Sequence, residues 1–465
     1  MGLGLFGLHG QDSAAQGMHP RFAIYTLGCK ANQYDSFAIS RELILRGWQP
    51  VSFDEPADAY IIDTCTVTSV ADRKSRKVIR RAGRAGSNAI VAVTGCAAEW
   101  AADKLRQISG VELVVGNRMK NRLADDLCRA YEERPSSNRP TSVGTTAFPP
   151  APADEHPGET APLIVLTGRA RFLLKIQDGC NRRCAFCIVP HVRGKSRSRP
   201  VQEVVNEAHE LIEQGIREVV LTGIQLGDYG RDLEAGRRSF LHLVENLTAI
   251  DGLLRLRVSS MLPQDIDTDL LSVMANSAKV CPHLHIPLQS GSDRILKAMH
   301  RGYTAADFLS VIDAARTALP DLGLTTDIMV GFPDESNEDF NATVSVAEQA
   351  AFSDMHIFKY SQRPGTEAAQ MPEQVEHSIK EQRSDRLFTL SAQLNSVYAE
   401  TRLEKPADVL LESVSADGRT GVGYTETYLR ASVRGTGLHE GELVTILPRQ
   451  REKDHLIADV LHNPS

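Results

Sequence analysis

No apolar run in the chain approaches the roughly 18 to 20 residues that a bilayer span requires. The longest, such as EVVLTGI, are strand-sized, so no membrane partner is expected. No secretory leader is expected either. The opening MGLGLFGLHGQDSAAQGMHP has no basic start and its apolar part stops almost at once. Residues 1–20 are therefore expected to be a disordered extension, and the expected location is cytoplasmic. Net positive charge is absent: 52 Lys and Arg stand against 59 Asp and Glu, for a net charge of -7. That argues against indiscriminate coating of nucleic acid and leaves only local basic patches open. Cysteine is scarce, with 8 in 465 residues. This is too few for a disulfide scaffold, and in a reducing compartment the thiols stay available as ligands or catalysts. Internal repeats of the kind that build solenoids are also lacking.

What is present is an ordinary globular composition, 42% hydrophobic and 24% charged, over a length that suggests about three domains. Residues 21–130 alternate β-rich stretches (RFAIYTLG, ADAYIIDTCTV, NAIVAVTGC) with polar, Ala-rich segments compatible with helix. This is the pattern of an open parallel α/β sheet. Residues 131–167 shift to Pro, Ser, Thr, Gly and Ala, a linker that buries too little apolar surface to order itself. Across 168–402, strand candidates RFLLKIQ, EVVLTG, RLRVSS, HLHIPLQ, LTTDIMVGF and DMHIFKY are separated by helical patterns such as VQEVVNEAHELIEQG. They predict a partial (β/α)6 barrel, open on one side, with function at the strand C-termini. Residues 403–465 turn to short β segments broken by Gly, which predict a small antiparallel β-barrel. The fold class is α/β.

The strongest signal is DGCNRRCAFCIVP, which puts Cys180, Cys184 and Cys187 in one loop directly after a predicted strand. Three thiolates on a short loop can hold three irons of a cubane cluster, leaving the fourth open where a ferredoxin would add a fourth Cys. An open position marks a metal centre that binds substrate. The alternative is a structural zinc with His191 as fourth ligand, in a non-catalytic RNA-binding protein. Cys29, Cys65 and Cys96 share no short motif, yet each falls at the C-terminal end of a predicted parallel strand, where ligands bind in open α/β sheets. They form a second open-iron site or are buried packing cysteines. Cys128 and Cys281 are expected to be packing residues. Two basic runs lie beside these sites: residues 73–84 carry seven basic side chains and residues 193–199 carry four. Each is a solvated face or a contact for a polyanionic substrate. Residues 401–465 hold eight basic and ten acidic side chains, so the predicted small barrel is not basic overall.

The C-x3-C-x2-C loop, with Phe186 before its third Cys, resembles the radical S-adenosylmethionine superfamily. TLGCKANQ, IIDTCTVT and VAVTGCAAE resemble the N-terminal domain of the methylthiotransferases, and GVGYTETYLRASV with GELVTI resembles their RNA-binding TRAM domain. The resemblance runs from Phe22 to about Leu461 in the family's domain order. It implies two [4Fe-4S] clusters, one on Cys180, Cys184 and Cys187, the other on Cys29, Cys65 and Cys96. It also implies S-adenosylmethionine, with contacts to cofactor or substrate from Phe186, Thr222, Gly223, Gln225, Gln289, Ser290, Arg301 and Asp327. KIQDGCNRRCAFCIVPHVRGKSRSRP and FKYSQRPGTEAAQMP look most like the branch that acts on N6-threonylcarbamoyladenosine next to the anticodon of transfer RNA. Sister branches act on isopentenyladenosine in transfer RNA or on an aspartate of a ribosomal protein. The implied partners are a transfer RNA anticodon loop and an electron donor such as a flavodoxin-type reductant; no sulfur donor is assigned. Three positions depart from the family pattern: Asp334 where Gly is usual, Asp63 where Asn is frequent, and Thr427 in place of an Asn of the TRAM motif.

Overall fold

Parallel strands covered on both faces read as continuous apolar runs, and the N-terminal unit is built from such runs. The computed structural model describes residues 19–84, 88–135, 171–236, 238–453 and 455–462. Residues 1–18 of the expected extension and the expected linker beyond residue 135 lie outside the described residues. Strands β1 (Arg21–Thr26), β2 (Ala59–Thr64), β3 (Ile90–Gly95) and β4 (Val111–Gly116) pair in that order, all parallel, with a two-residue edge strand at Gln49–Pro50 beside β1. Every residue of β2 and β3 is buried. Tyr25, Tyr60, Ile62 and Val93 pack on one face of the sheet, Phe22, Ile24, Ile61 and Ala92 on the other. The register Thr26 to Asp63 to Thr94 brings the C-terminal ends of β1, β2 and β3 level. Helices α1 (Lys30–Leu45), α2 (Ser69–Ala82) and α3 (Cys96–Trp100) follow these three strands. Helix Leu123–Glu132 runs two residues past the point where the linker was expected to begin.

The central unit has six parallel strands: β5 (Arg171–Lys175), β6 (Glu218–Thr222), β7 (Arg255–Val258), β8 (His283–His285), β9 (Gly323–Val330) and β10 (Asp354–Lys359). They form two three-stranded sheets joined by single bridges at Leu256–Val280 and Ser260–His285. Alternation along each strand sorts the side chains. Phe172, Leu174, Val219, Leu221, Leu256, Leu284, Leu324, Ile328 and Met355 enter the large core under the surrounding helices. The alternate residues, among them Arg171, Glu218, Arg257, His285, Asp327 and His356, face the barrel interior. Among the described residues the barrel stays open between β5 and β10, and the N-terminal unit has contacts on both sides of that opening. On the β5 side, Phe37 of α1 packs edge-on to Phe172 with ring centroids 4.6 Å apart, and the Tyr34 hydroxyl donates to Glu207 at 2.9 Å. On the far side, the Ser69 amide donates to Ser361 Oγ at 2.9 Å and Arg363 donates to Thr66 Oγ1. No helix among the described residues is long and apolar enough to cross a membrane.

A 24-residue helix, α5 (His377–Glu400), leads back to a closed five-stranded barrel: β11 (Ala407–Val414), β12 (Thr420–Thr425), β13 (Arg430–Arg434), β14 (Leu443–Glu452) and β15 (His455–His462). Its pairings are antiparallel as expected, except that β13 and β15 run parallel to close the barrel. The turn between β12 and β13 plugs the N-terminal end of the central barrel. Arg255 donates to the Tyr424 and Thr425 carbonyls at 3.0 Å each, and Arg257 donates to the Glu426 carbonyl at 2.9 Å. Tyr428 stacks on His283 with centroids 4.9 Å apart. Thr427 is 1% exposed, its hydroxyl 3.0 Å from that of Thr425. The position that departs from the TRAM pattern is thus inside an interface, not on a surface open to RNA. A Cβ on Gly323 would lie 2.1 Å from the Thr427 carbonyl oxygen, so only glycine admits the turn there. Gly323→Val is expected to cost about 1–3 kcal/mol of stability by overpacking, read as a lowered urea midpoint together with faster amide exchange at Leu429.

Candidate active site between two cysteine triads

Level strand ends bring the first three cysteines to one edge of the sheet. Cys29 precedes α1 in extended conformation, Cys65 follows β2 directly, and Cys96 opens α3 directly after β3. Two glycines permit the approach. At Gly28, φ is +106° and a Cβ would sit 2.9 Å from Cys65 Cβ; at Gly95, φ is +93° and a Cβ would sit 2.3 Å from the Thr64 carbonyl oxygen. Ser75 of α2 fixes Cys65 by accepting from its amide at 3.3 Å and donating to its carbonyl at 3.0 Å. Cys65 and Cys96 are buried, while Cys29 is exposed. Burial pushes the Cys65 thiol up to about 12, helped by the negative charge its neighbours Cys96 and Cys29 would carry. Cys96 is raised for the same reasons.

The second triad sits on the loop after β5. Gly179, with φ +73°, lets the loop pass the Lys195 carbonyl, and the Cys180 amide donates to the Gly194 carbonyl at 3.0 Å. The Arg182 amide donates to Cys180 Sγ at 3.4 Å, and Arg301 Nη1 donates to Cys184 Sγ at 3.4 Å. Burial pushes the Cys187 thiol up to about 12, with Cys184 and Cys180 adding to the shift. A bound cation reverses such shifts, because thiolates are the ligand form. Neither triad has its donor atoms gathered as around one ion: among the described residues only His285, Asp327 and His356 hold three donors within 4.8 Å of one another. Sulfurs on a single zinc stand about 3.8 Å apart, given Zn–S bonds of about 2.3 Å. The wider placement suits thiolates that each bind a separate iron of a cubane. His191 packs edge-on against Trp100 at 6.1 Å.

Helix α4 (Val189–Arg193) starts two residues after Cys187 and connects the triads. Ile188 and Val192 form one buried cluster with Cys96, and Asn117 Nδ2 donates both to the Val192 carbonyl at 2.9 Å and to Cys96 Sγ at 3.4 Å. At the end of α4, Arg193 is 2% exposed and donates to Asn32 Oδ1, to Asp35 at 3.3 Å and to Asp178 at 2.8 Å. Lys120 reaches Asp35 at 3.0 Å and Asp63 at 3.1 Å, and Lys175 binds Asp35 and Asp178. Burial alone would raise the Asp35 carboxyl, but Lys120, Lys175 and Arg193 outweigh it and hold it well below the usual range. For Asp63, wholly enclosed, burial wins and the carboxyl is raised. The departure at Asp63 thus comes with a dedicated cation in Lys120.

Residues 174–347 match the Radical SAM superfamily, and residues 21–116 match the uncharacterized protein family UPF0004. A threonylcarbamoyladenosine tRNA methylthiotransferase, MtaB, from Bacillus subtilis is 37% identical over 428 residues, covering 91% of this chain and 92% of its own. The chain belongs to the radical S-adenosylmethionine methylthiotransferase family. A relative of the same name from Aquifex aeolicus is 36% identical, covering 92% of this chain and all of its own. A tRNA-2-methylthio-N(6)-dimethylallyladenosine synthase from Moorella thermoacetica is also 36% identical, covering 85% of this chain and 87% of its own. Among solved structures, the radical S-adenosylmethionine methyltransferase TsrM from Kitasatospora setae superposes with a TM-score of 0.53 at 18% identity, over 75% of each chain, a likeness of fold.

In this methylthiotransferase the other expected contacts fall into distinct settings. Phe186 is partly buried against a cluster with Phe332 and Tyr360. Thr222 ends β6, and Gly223 leaves no room for a Cβ beside Gln177 Oε1, at 2.9 Å. Gln225 donates to Asp265 at 2.8 Å, and Ser290 is buried 3.3 Å from the Thr343 hydroxyl, so protein partners hold both. Gln289, at φ +65°, bridges β8 to β9 through the Asp327 carbonyl and the Met329 amide. Arg301 is buried with its Nη2 unpartnered among the described residues, while its Nη1 donates to Cys184. Asp327 lies between His285 at 3.3 Å and His356 at 3.4 Å, and these hydrogen bonds hold its carboxyl far below the usual range against burial. Asp334 stands at φ +63°, which explains why glycine suits that position; Arg294 pairs with it.

The basic runs divide. On α2, whose Ser75 contacts Cys65, Arg73, Lys74, Lys77 and Arg80 are exposed, whereas Arg193 is buried in the ion network and Arg199 is tied to Tyr34 and Glu207. Only Lys195 and Arg197 of the second run are exposed. That run is therefore mainly structural. A groove of about 820 Å³ follows the seam between the two units, lined by Tyr34, Arg41, Asn117, Lys175 and Arg199 and by no cysteine. Sequence reading missed the roles of Arg193, Lys120, His285 and His356; the alternation in HLH, TTD and DMH, which puts His285, Asp327 and His356 on one face, was the available signal for the two histidines. Arg193→Met leaves buried carboxylates without their cation and is expected to cost about 3–5 kcal/mol. Lys195→Met should stay within about 0.5 kcal/mol. Urea unfolding followed by the fluorescence of Trp48 and Trp100, both in the N-terminal unit, separates the two.

Proposed function

We propose that the chain is a transfer RNA methylthiotransferase that adds a methylthio group to C2 of N6-threonylcarbamoyladenosine next to the anticodon. In this reading Cys180, Cys184 and Cys187 hold the [4Fe-4S] cluster that takes S-adenosylmethionine, and Cys29, Cys65 and Cys96 hold a second [4Fe-4S] cluster. One observation carries it: five-residue α4 begins beside Cys187 and ends packed against Cys96, so that a base reaching one triad is within reach of the other. When bound, the clusters and S-adenosylmethionine supply the one-electron chemistry and the methylthio group. The protein's part is placement. Arg301 offers its free Nη2 to the carboxylate of S-adenosylmethionine, Phe186, Thr222, Gly223 and Gln289 shape the surrounding turns, and Gln225 and Ser290 hold those turns through Asp265 and Thr343. Asp327 faces the substrate side of the barrel. The exposed basic face of α2 beside Cys65 suits a phosphate backbone, and an anticodon loop presents a splayed base more readily than a duplex does.

The functional units of this reading are residues 21–130 for the auxiliary cluster, 168–402 for the radical core and 403–465 for a TRAM-like barrel, with 131–167 as linker. A flavodoxin-type reductant is the proposed electron donor. The choice of the threonylcarbamoyl substrate is supported by the MtaB relatives at 36 and 37% identity; a dimethylallyladenosine synthase at 36% makes isopentenyladenosine the nearest alternative.

Anaerobic reconstitution with iron and sulfide is expected to yield two four-iron clusters, and replacing either cysteine triad by Ala should leave one; tight zinc without a visible chromophore would contradict the reading. Mass spectrometry of transfer RNA nucleosides from cells lacking the gene should show the methylthio-threonylcarbamoyl nucleoside gone and its unthiolated precursor accumulated. Its persistence, with loss of the methylthio-isopentenyl nucleoside, would move the enzyme to the sister branch. Persistence of both would point to the ribosomal protein.

A further inference from the structure

Three neighbouring strands of the central barrel each turn one metal-ligating side chain to the same spot. His285 ends β8, Asp327 lies midway along β9 and His356 is the third residue of β10. The parallel register sets Asp327 beside His356 and Thr325 beside His285, so alternation along the strands brings all of these side chains to one face. Asp327 Oδ1 stands 3.3 Å from His285 Nε2 and 3.4 Å from His356 Nδ1, and the three donor atoms all lie within 4.8 Å of one another. These separations are long for hydrogen bonds from nitrogen to oxygen, which cluster at about 2.7–3.2 Å. They match the edge of a tetrahedral metal site: ligand atoms about 2.0–2.1 Å from a zinc ion stand about 3.3–3.4 Å from each other. The surroundings suit the same occupant. Asp327 has no lysine or arginine within ion-pair distance among the described residues, whereas Arg171 is matched by Glu412 at 2.7 Å, and Arg255 and Arg257 by Glu218 at 2.8 and 3.0 Å. Behind His285, the Thr325 hydroxyl is 2.9 Å from Nδ1 and 3.1 Å from Nε2 of His283. Ligating histidines are oriented in this way, the far ring nitrogen bonded to a fixed partner so that the near one keeps its lone pair for the metal.

We propose that His285, Asp327 and His356 bind one divalent first-row metal ion of the zinc class. No cysteine belongs to the group, so the site is separate from both thiol triads. Two imidazoles and one carboxylate are a ligand set for borderline ions, whereas Mg2+ or Ca2+ would call for oxygen donors throughout. Three protein ligands leave one tetrahedral position for a water or for an oxygen of a bound molecule, the arrangement that distinguishes working metal sites from closed structural ones. An ion can enter without any unfolding, because side-chain exposure rises from 12% at His285 through 25% at Asp327 to 55% at His356. With Nε2 of His285 on the metal, its Nδ1 proton donates to Thr325, and the hydroxyl's own hydrogen goes to His283, whose ring burial holds neutral. The assignment does not depend on which adenosine is modified.

The test uses the full chain reconstituted anaerobically with iron and sulfide, freed of loose iron and given one equivalent of Zn2+. X-ray absorption at the zinc edge does not see the irons. It should show nitrogen and oxygen neighbours at about 2.0–2.1 Å, with the outer-shell scattering of imidazole, and no sulfur at about 2.3 Å. Zinc on sulfur would put the ion on cysteines and overturn the assignment, and so would loss of the equivalent on a desalting column. Zinc affinity is then measured by competition with a fluorescent chelator. H285Q and H356A should each lose at least the roughly ten- to hundredfold that removal of a mere supporting partner costs a metal site, with iron content unchanged. Wild-type affinity in both variants overturns the proposal. Should H285Q fail to fold, H356A decides alone, since it alters a half-exposed ring at the edge of the site.

Discussion

Two units are locked together by a largely buried network of ion pairs. Arg193 lies at their centre, with Asp35 and Asn32 of the N-terminal unit on one side and Asp178 of the barrel on the other. Lys120 and Lys175 complete the charge balance. A buried network of this kind adds little net stability over an apolar interface of the same shape, since desolvation offsets much of the attraction. What it supplies is geometry. Directional bonds with fixed partners allow one docking of the units, and α4, which ends in Arg193, carries that constraint to the triads at its two ends.

The interior of the barrel follows a second rule. At its N-terminal end, charges are cancelled by carboxylates and by the carbonyls of a turn from the C-terminal barrel. Higher up, Asp327 is held by two imidazoles. Electrostatic order therefore runs from a sealed floor to an open mouth, and the cysteines lie at the mouth, at the strand C-termini where α/β folds keep their chemistry.

Much of this was legible in the chain itself. The six strands of the barrel and three of the N-terminal strands stand out because buried parallel strands are short apolar runs bounded by Gly or polar turns. Cys29, Cys65, Cys96 and Cys180 stand out because each comes soon after such a run, and Cys184 and Cys187 by their spacing from Cys180. The strand at VELVVG was missed: its flanks are helix-like and its residues only partly buried. Arg193 read as one member of a basic run because its partners Asp35 and Asn32 are about 160 residues away in sequence, a separation at which no local pattern carries information. The same holds for Thr427, whose burial depends on a glycine at position 323. Local chemistry reveals which residues can bind metal. Long-range docking decides which charges are spoken for.

The plug at the barrel floor also fixes a dimension. Strand β9 has eight residues, a rise of roughly 26 Å at about 3.3 Å each, and it separates the clamped C-terminal barrel from the mouth that carries the thiols. Because Arg255 and Arg257 grip main-chain oxygens, the spacing is insensitive to the side chains of the turn. The molecule thereby acts as a caliper. One jaw is the C-terminal barrel and the other the cysteine-bearing mouth, and the plugged floor keeps their separation constant.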